Sequence, residues 1–459
     1  MSKKISRNIN LTEGSIVEGL IKFAIPLLLT NFLQQLYNTA DLMIVGRFAG
    51  KNPMAAVGAT GPVSNLLIGL FLGLTTGASV VISLYYGSND REALKKSVGV
   101  SYFLGLASGL FITIFGYLTT PFFLRIMDTP PEILNDATIY MRVFFMGTVP
   151  ILIYNMGASI LRATGDSKRP FNFLCVSAIV NIVLDLILVG WLHMSVLGAG
   201  IATLASQVVS AILVTYSLLK TDGSYKLRKE EIKLHKHEAK RIFDVGIPTG
   251  VQTALLSFTN VIFQAKINYF GADAIAGVAA EGRIDGFLFM SLQAIALAAT
   301  TFSGQNFGAQ KFDRLREGLK VSLLIVFGIS AFLSVIAFTL AEPLIAIFNP
   351  DPDVVAYGAD FLKIISLGIW FFGLSETISG FVRGSGHAMG PMVISLLTIC
   401  ILRLVVVYFA MPIFNSIRVI SIIYPVSYFA NFLLMAIYYK FGKWRKNICL
   451  LYTSDAADE

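Results

Sequence analysis

The chain has 459 residues, of which 55% are hydrophobic and only 14% charged, with a formal net charge of +8 and a mean hydropathy of +0.71. This balance excludes an ordinary soluble domain and predicts an all-α integral membrane protein. Three cysteines without a CxxC pair exclude a disulfide framework, and His193, His235, His237 and His387 lack metal-ligand spacing.

The first fifteen residues are polar and basic, without an apolar stretch or a small-residue cleavage site, so no cleaved signal peptide is expected. A helix crossing a bilayer takes about 20 apolar residues. Twelve segments qualify, at 15–47, 54–86, 97–123, 133–161, 170–192, 196–219, 242–270, 276–306, 319–342, 354–382, 391–412 and 416–440.

Span 1 contains "LQQLYNTADLMIVGRFAG", which places Asp41 deep in an apolar stretch. A carboxylate there costs roughly 2.5–3.5 kcal/mol or more, so it needs a partner. Gln34 and Tyr37 lie two turns and one turn before it, respectively, on the same face. Pro26 interrupts the backbone ladder nearer the start of the span, a natural bend site. Span 4 adds Tyr140 and Asn155 as members of a possible substrate or relay network. Span 5, "VNIVLDLILVG", sets Asn181 and Asp185 at i and i+4 on one helix face, and span 6 offers Thr203. Lys22 and Arg142 are the candidate basic partners within the first six spans.

After span 6 comes "KTDGSYKLRKEEIKLHKHEAKR", Lys220 to Arg241, a stretch expected to be a solvated linker with some helix. The second set of spans carries Glu281, Arg283 and Asp285 on span 8, Glu376 on span 10 and Arg403 on span 11. Neutralisation among themselves or contact with a cationic substrate would account for them. The final "ICLLYTSDAADE" turns acidic after a basic stretch and reads as non-native sequence.

Basic residues set the orientation. Of 36 lysines and arginines, 26 fall at the termini and in alternate loops, all on one side, and only Arg47, Lys51, Arg125 and Arg418 fall in the opposite loops. Both termini and the linker are therefore expected in the cytoplasm, with the protein in the inner (plasma) membrane. No folded basic face for nucleic acid is visible.

The chain is also a duplication. At an offset of 222, Ile25-Pro26 meets Ile247-Pro248, Asn38 meets Asn260 and Phe48 meets Phe270. At 221, Gly87 meets Gly308, Ser101 meets Ser322, Arg162 meets Arg383, Gly165 meets Gly386 and Pro170 meets Pro391. Six spans per copy make this a parallel repeat. Its two six-helix bundles would be related by an axis along the membrane normal, with the substrate path between them. The expected divisions are 1–219, a 220–241 linker, 242–441 and a 442–459 tail.

The repeat separates task from scaffold. Asp41 corresponds to Phe263, Asn181 to Leu402, Asp185 to Val406 and Thr203 to Tyr424. None of the four polar side chains is demanded by the shared fold. Two carboxylates, an amide and a hydroxyl form a hard-oxygen set suited to Na⁺ or to a shared proton. Two adjacent carboxylates in low dielectric do not both stay ionised unless a cation lies between them. The alternative is a polar cluster that only holds helices together.

Several motifs together resemble the multidrug and toxic compound extrusion (MATE) family: "AIPLLLTNFLQQLYNTADLMIVGRF", "YYGSNDREAL", "NFGAQKFDRL", "LRATGDSKRP" and "NIVLD". The resemblance covers nearly all of residues 10–445. It implies a V-shaped pair of six-helix bundles and cation-coupled export of amphipathic, often cationic, organic compounds. It carries the cation-site roles onto Asp41, Asn181, Asp185 and Thr203, the pattern of the branch whose site lies in the N-terminal lobe. Another branch carries a glutamate on helix 7, whereas "TGVQTALLSFTNVIFQ" has no acid, although Glu281 could substitute.

The rival transporter reading is a flippase for lipid-linked oligosaccharides from the wider superfamily. Those chains carry fourteen spans and a strongly basic cavity. No HExxH, GxSxG or paired-histidine motif supports a membrane-embedded enzyme, and a buried acid cluster in a repeat fits alternating access better than a channel. The expectation is a monomeric antiporter using H⁺ or Na⁺, with no cofactor and no metal beyond Na⁺.

Overall fold

The computed structural model describes residues 9–442 and 444. In chain order the helices are α1 (Ile16–Phe48), α2 (Lys51–Gly87), α3 (Arg91–Ile126), α4 (Pro131–Met146), α5 (Thr148–Ala163), α6 (Lys168–Asp185), α7 (Ser195–Lys220) and α8 (Lys236–Asn268). They continue as α9 (Ala272–Gly308), α10 (Phe312–Thr339), α11 (Ala341–Ala346), α12 (Pro352–Ser366), α13 (Ile369–Gly384), α14 (Met389–Ser395), α15 (Leu402–Phe414) and α16 (Ile417–Phe441). No strand occurs among the described residues.

Eight helices are long and apolar enough to cross a membrane, or ten when each bent pair counts as one span. The bent pairs are α4–α5 at 44° and α12–α13 at 47°. They correct the expectation of unbroken spans at 133–161 and 354–382. Gly147 and Gly368, repeat partners, stand at the two breaks. The two remaining expected spans fall on α2 and α8, continuous helices of 37 and 33 residues.

The duplication recurs in the backbone. Left-handed residues pair across the copies: Gly50 (φ 96°) with Gly271 (93°), Gly165 (89°) with Gly386 (91°), and Asn89 (56°) with Gln310 (57°). Glycine takes this conformation without a Cβ penalty, which accounts for its retention at two of the three pairs.

Two compact units result. Among the described residues, the first comprises Ile9 and Ile25–Gly250, and the second comprises Asn10–Ala24 with residues 251–442 and 444. This division differs from the one read at the linker. Within the first unit the opening turns of α8 press on α2 through glycines. A Cβ on Gly73 would lie 2.4 Å from the Gly250 nitrogen, and one on Gly77 2.3 Å from the Ile242 oxygen. Only small residues at these spacings let two helices approach so closely.

The linker also packs in the first unit rather than lying fully solvated. It contains one short 3₁₀ turn, Lys229–Glu231. Tyr225 and Leu227 are buried in the core beside Leu218 and Val214. Leu227 N–H donates to the Leu218 carbonyl at 3.1 Å. Arg169, paired with Asp166, donates to the Tyr225 hydroxyl at 2.8 Å.

In the second unit the segment before α1 is held by α9 and α10. The Arg314 guanidinium donates to the carbonyls of Leu11 (3.2 Å), Gly14 (2.9 Å) and Glu13 (2.8 Å). Asn306 also donates to Leu11 at 3.1 Å, and Lys311 to Thr12 at 3.0 Å. The readings placed on the amino-terminal lysines and on the acidic tail, Cys449 included, lie outside the described residues.

Candidate cation site in the first unit

Four helices of the first unit supply the site. α1 carries Tyr37 and Asp41, α4 carries Tyr140, α6 carries Asn181 and Asp185, and α7 carries Thr203 and Ser206. The four expected cation ligands are all buried: Asp41 is 7% exposed, Thr203 8%, and Asn181 and Asp185 0%.

The Asp41 and Asp185 carboxyl groups lie near enough to act on each other. As carboxylates they offer each other no donor. One Asp41 oxygen, both Asp185 oxygens and both polar atoms of Asn181 have no hydrogen-bond partner. Buried polar atoms are nearly always satisfied, so so many orphans in one place mark a position for a proton or a small cation.

Among the described residues, no base is paired with either acid. Lys22 is ion-paired with Glu18 one turn before it, and the Arg142 guanidinium lies over the Tyr117 ring at 5.0 Å. Among the described residues, none of the ion pairs includes Asp41 or Asp185. An oxygen set of this kind suits a hard cation or a shared proton.

The Thr203 hydroxyl is a further buried polar atom without a hydrogen-bond partner, and Tyr37 lies near enough to feel both carboxyl groups. Buried Tyr140 likewise feels Asp41, Asp185 and Tyr37. These two tyrosines therefore join the acid cluster. Gln34 is exposed, and Asn155 spends its amide on the Ile151 carbonyl of its own helix at 2.8 Å. Neither is brought to the acids by any contact.

Two features were missed from sequence. Ser206 lies one turn after Thr203, donates to the Thr203 carbonyl at 2.8 Å, and accepts the Ser177 hydroxyl on its own carbonyl at 2.6 Å. Its i+3 spacing from Thr203 was an available signal. The other is a π-helical stretch, Leu186–Trp191, that begins immediately after Asp185. Such bulges occur often at functional sites, and no residue pattern announces this one.

The corresponding place in the second unit is filled differently. Phe263 is buried and meets the Tyr424 ring edge-on at 5.6 Å. Val406 packs into the same apolar cluster. An aromatic plug occupies the position that the acids hold in the first unit.

Comparison with known proteins follows the same duplication. The MatE family model matches residues 26–187 and again 248–409. The probable multidrug resistance protein YoeA of Bacillus subtilis (strain 168) is 27% identical over 444 residues, covering 95% of this chain and 96% of its own. The probable multidrug resistance protein NorM of Thermotoga maritima is 29% identical over 406 residues, 86% of this chain and 85% of its own. Among solved structures, a crystal structure of MATE in the bent conformation superposes with a TM-score of 0.89 at 23% identity, over 99% of this chain and 100% of that one.

Proposed function

The chain belongs to the MatE family of multidrug efflux transporters, and on that premise we propose that it is a secondary active antiporter. It exports amphipathic or cationic organic compounds in exchange for H⁺ or Na⁺, by alternating access, with no other cofactor. Asp41, Asp185, Asn181 and Thr203 hold the coupling cation, and Tyr37 and Tyr140 connect it to the rest of the first unit.

One observation carries this reading: a buried acid pair with orphaned oxygens and no basic partner, replaced in the sister repeat by an aromatic plug. Charge that no protein group balances is balanced by the transported ion. Binding that ion changes the cost of burying the acids, which links occupancy to conformation. The test is efflux of a fluorescent organic cation from loaded vesicles, with Na⁺ and pH gradients imposed separately. Transport driven by neither gradient would reject antiport.

The proposed setting is the plasma membrane, as a monomer, with both termini and the linker in the cytoplasm. The basic-residue asymmetry supports this orientation. A cysteine placed at exposed Lys233, in a chain whose own cysteines are replaced by serine, tests it. Efficient labelling from outside intact cells would invert the map.

A further inference from the structure

We propose that the second unit holds an exchangeable proton of its own, bound by the triad Glu281, Asp285 and Arg403, of which Asp285 is half-buried. The inference goes beyond the cation site of the first unit and does not depend on it. Glu281 and Asp285 lie one turn apart on α9, and Arg403 opens α15. Glu281 and Arg403 are each 3% exposed.

Arg403 is fixed in place. Its Nε donates to the Ser427 hydroxyl at 2.7 Å, and its guanidinium lies over the rings of Tyr424 (4.2 Å) and Tyr428 (4.9 Å). Tyr428 in turn meets the ring of Phe289 at 6.2 Å, and Phe289 lies one turn after Asp285 and two after Glu281 on the same face of α9, so the guanidinium stands on the side of α9 that carries the two acids. Yet Glu281 Oε1, Asp285 Oδ1 and Arg403 Nη2 have no hydrogen-bond partner. These are largely buried polar atoms turned toward an unfilled role.

No other charge balances the triad. On α13, packed against α9, Glu376 pairs with Arg383 at 3.6 Å. On α12, Lys363 pairs with Glu342, and Asp360 with Arg418. Arg283 is exposed. From α16, Tyr424 feels both acids and Tyr428 feels Asp285. Two carboxylates against one guanidinium leave one surplus negative charge beside Glu281 Oε1 and Asp285 Oδ1, two oxygens shut off from solvent.

A proton on the Glu281 carboxylate removes that surplus. The resulting hydroxyl donates toward Asp285, which keeps its negative charge opposite Arg403. An organic cation has no seat here, because Arg403 already covers the two aromatic faces. The shared fold does not require the arrangement: the equivalent residues of the first repeat are Thr60, Ser64 and Ile182. Losing the proton leaves two anions on one cation, so release requires water to reach the triad. Proton occupancy is thereby tied to the conformational state of the second unit.

Infrared difference spectroscopy of the full chain in lipid nanodiscs tests this, using an Asp41→Asn/Asp185→Asn background that silences the first-unit acids. The expected signal is one deuterium-sensitive carboxylic-acid C=O band that disappears at high pH. Glu281→Gln abolishes it. Asp285→Asn also abolishes it, because the guanidinium then has Glu281 as its only partner and ionises it. Arg403→Gln doubles the band area. Persistence of the band in folded Glu281→Gln overturns the proposal. Where Glu281→Gln does not fold, an undiminished band in Asp285→Asn does so instead.

Discussion

Pro26 and Pro248 stand 222 residues apart at matching places in the repeat, and each lies within three residues of a point where the chain passes from one compact unit to the other. Both sit inside unbroken helices, α1 and α8. A proline removes one backbone hydrogen bond and crowds the preceding turn, so each helix is softest where it changes unit. Asp41 lies beyond this point on α1.

The first prediction follows. Pro26→Ala restores the missing bond, raising stability by up to about 3 kcal/mol, and slows efflux because the soft point stiffens. Thermal unfolding in detergent and initial efflux rates measure both. Higher stability with an unchanged rate would make the proline a static kink.

The span map was legible because membrane burial demands long apolar runs, and the repeat supplied a second reading of each. The bends at Gly147 and Gly368 were also written in the repeat, as glycines at the same register, but hydropathy averages across a bend. The docking of Tyr225 and Leu227 was hidden by the charged residues that flank them. The acid pair was legible because a carboxylate in hydrocarbon is costly anywhere. Its neighbours were not all legible: Gln34 shares a helix face with Asp41, yet its side chain is exposed. Helical register fixes direction, not depth, and the π stretch after Asp185 depends on tertiary packing.

Ser206 supports the site without carrying charge. Ser206→Ala is expected to weaken apparent cation affinity by about tenfold, as loss of an outer-shell partner does, while costing about 1 kcal/mol or less in stability. The gradient giving half-maximal efflux is the readout. Unchanged affinity with lower stability would make Ser206 a packing residue.

Arg314 ties down the segment before α1 through three carbonyls. Arg314→Lys keeps the charge but cannot span them. The expected outcome is faster protease cleavage between residues 10 and 15 and a loss of about 1–3 kcal/mol. Wild-type cleavage kinetics in this variant would show that the clamp adds little.

His387, in the turn between α13 and α14, has its proton affinity pushed below the ordinary histidine value of 6.5 by burial, partly offset by the Ser385 carbonyl. The folded value is below the unfolded one, so the unfolded chain binds more protons in that window. Stability from His387 is therefore complete above the unfolded value and is lost as pH falls through the folded one. Between about pH 8 and 5, wild type should lose more thermal stability than His387→Gln. Parallel curves for the two proteins would contradict this.

The coupling ion is separable by ligand stabilisation. A Na⁺-coupled site raises the melting temperature of wild type as Na⁺ is added, and does not in Asp41→Asn. A proton-coupled site leaves the melting temperature indifferent to Na⁺ at constant ionic strength.

The central claim is that Asp41 and Asp185 carry the coupling cation. Gradient-driven efflux by wild type and by Asp41→Asn, reconstituted side by side in vesicles, tests it most directly, with melting temperatures taken on the same preparations. The amide keeps the volume and one oxygen but removes the charge. The predicted result is efflux reduced to the protein-free background, with thermal stability held or raised because a costly buried charge is gone. Full efflux by folded Asp41→Asn would contradict it.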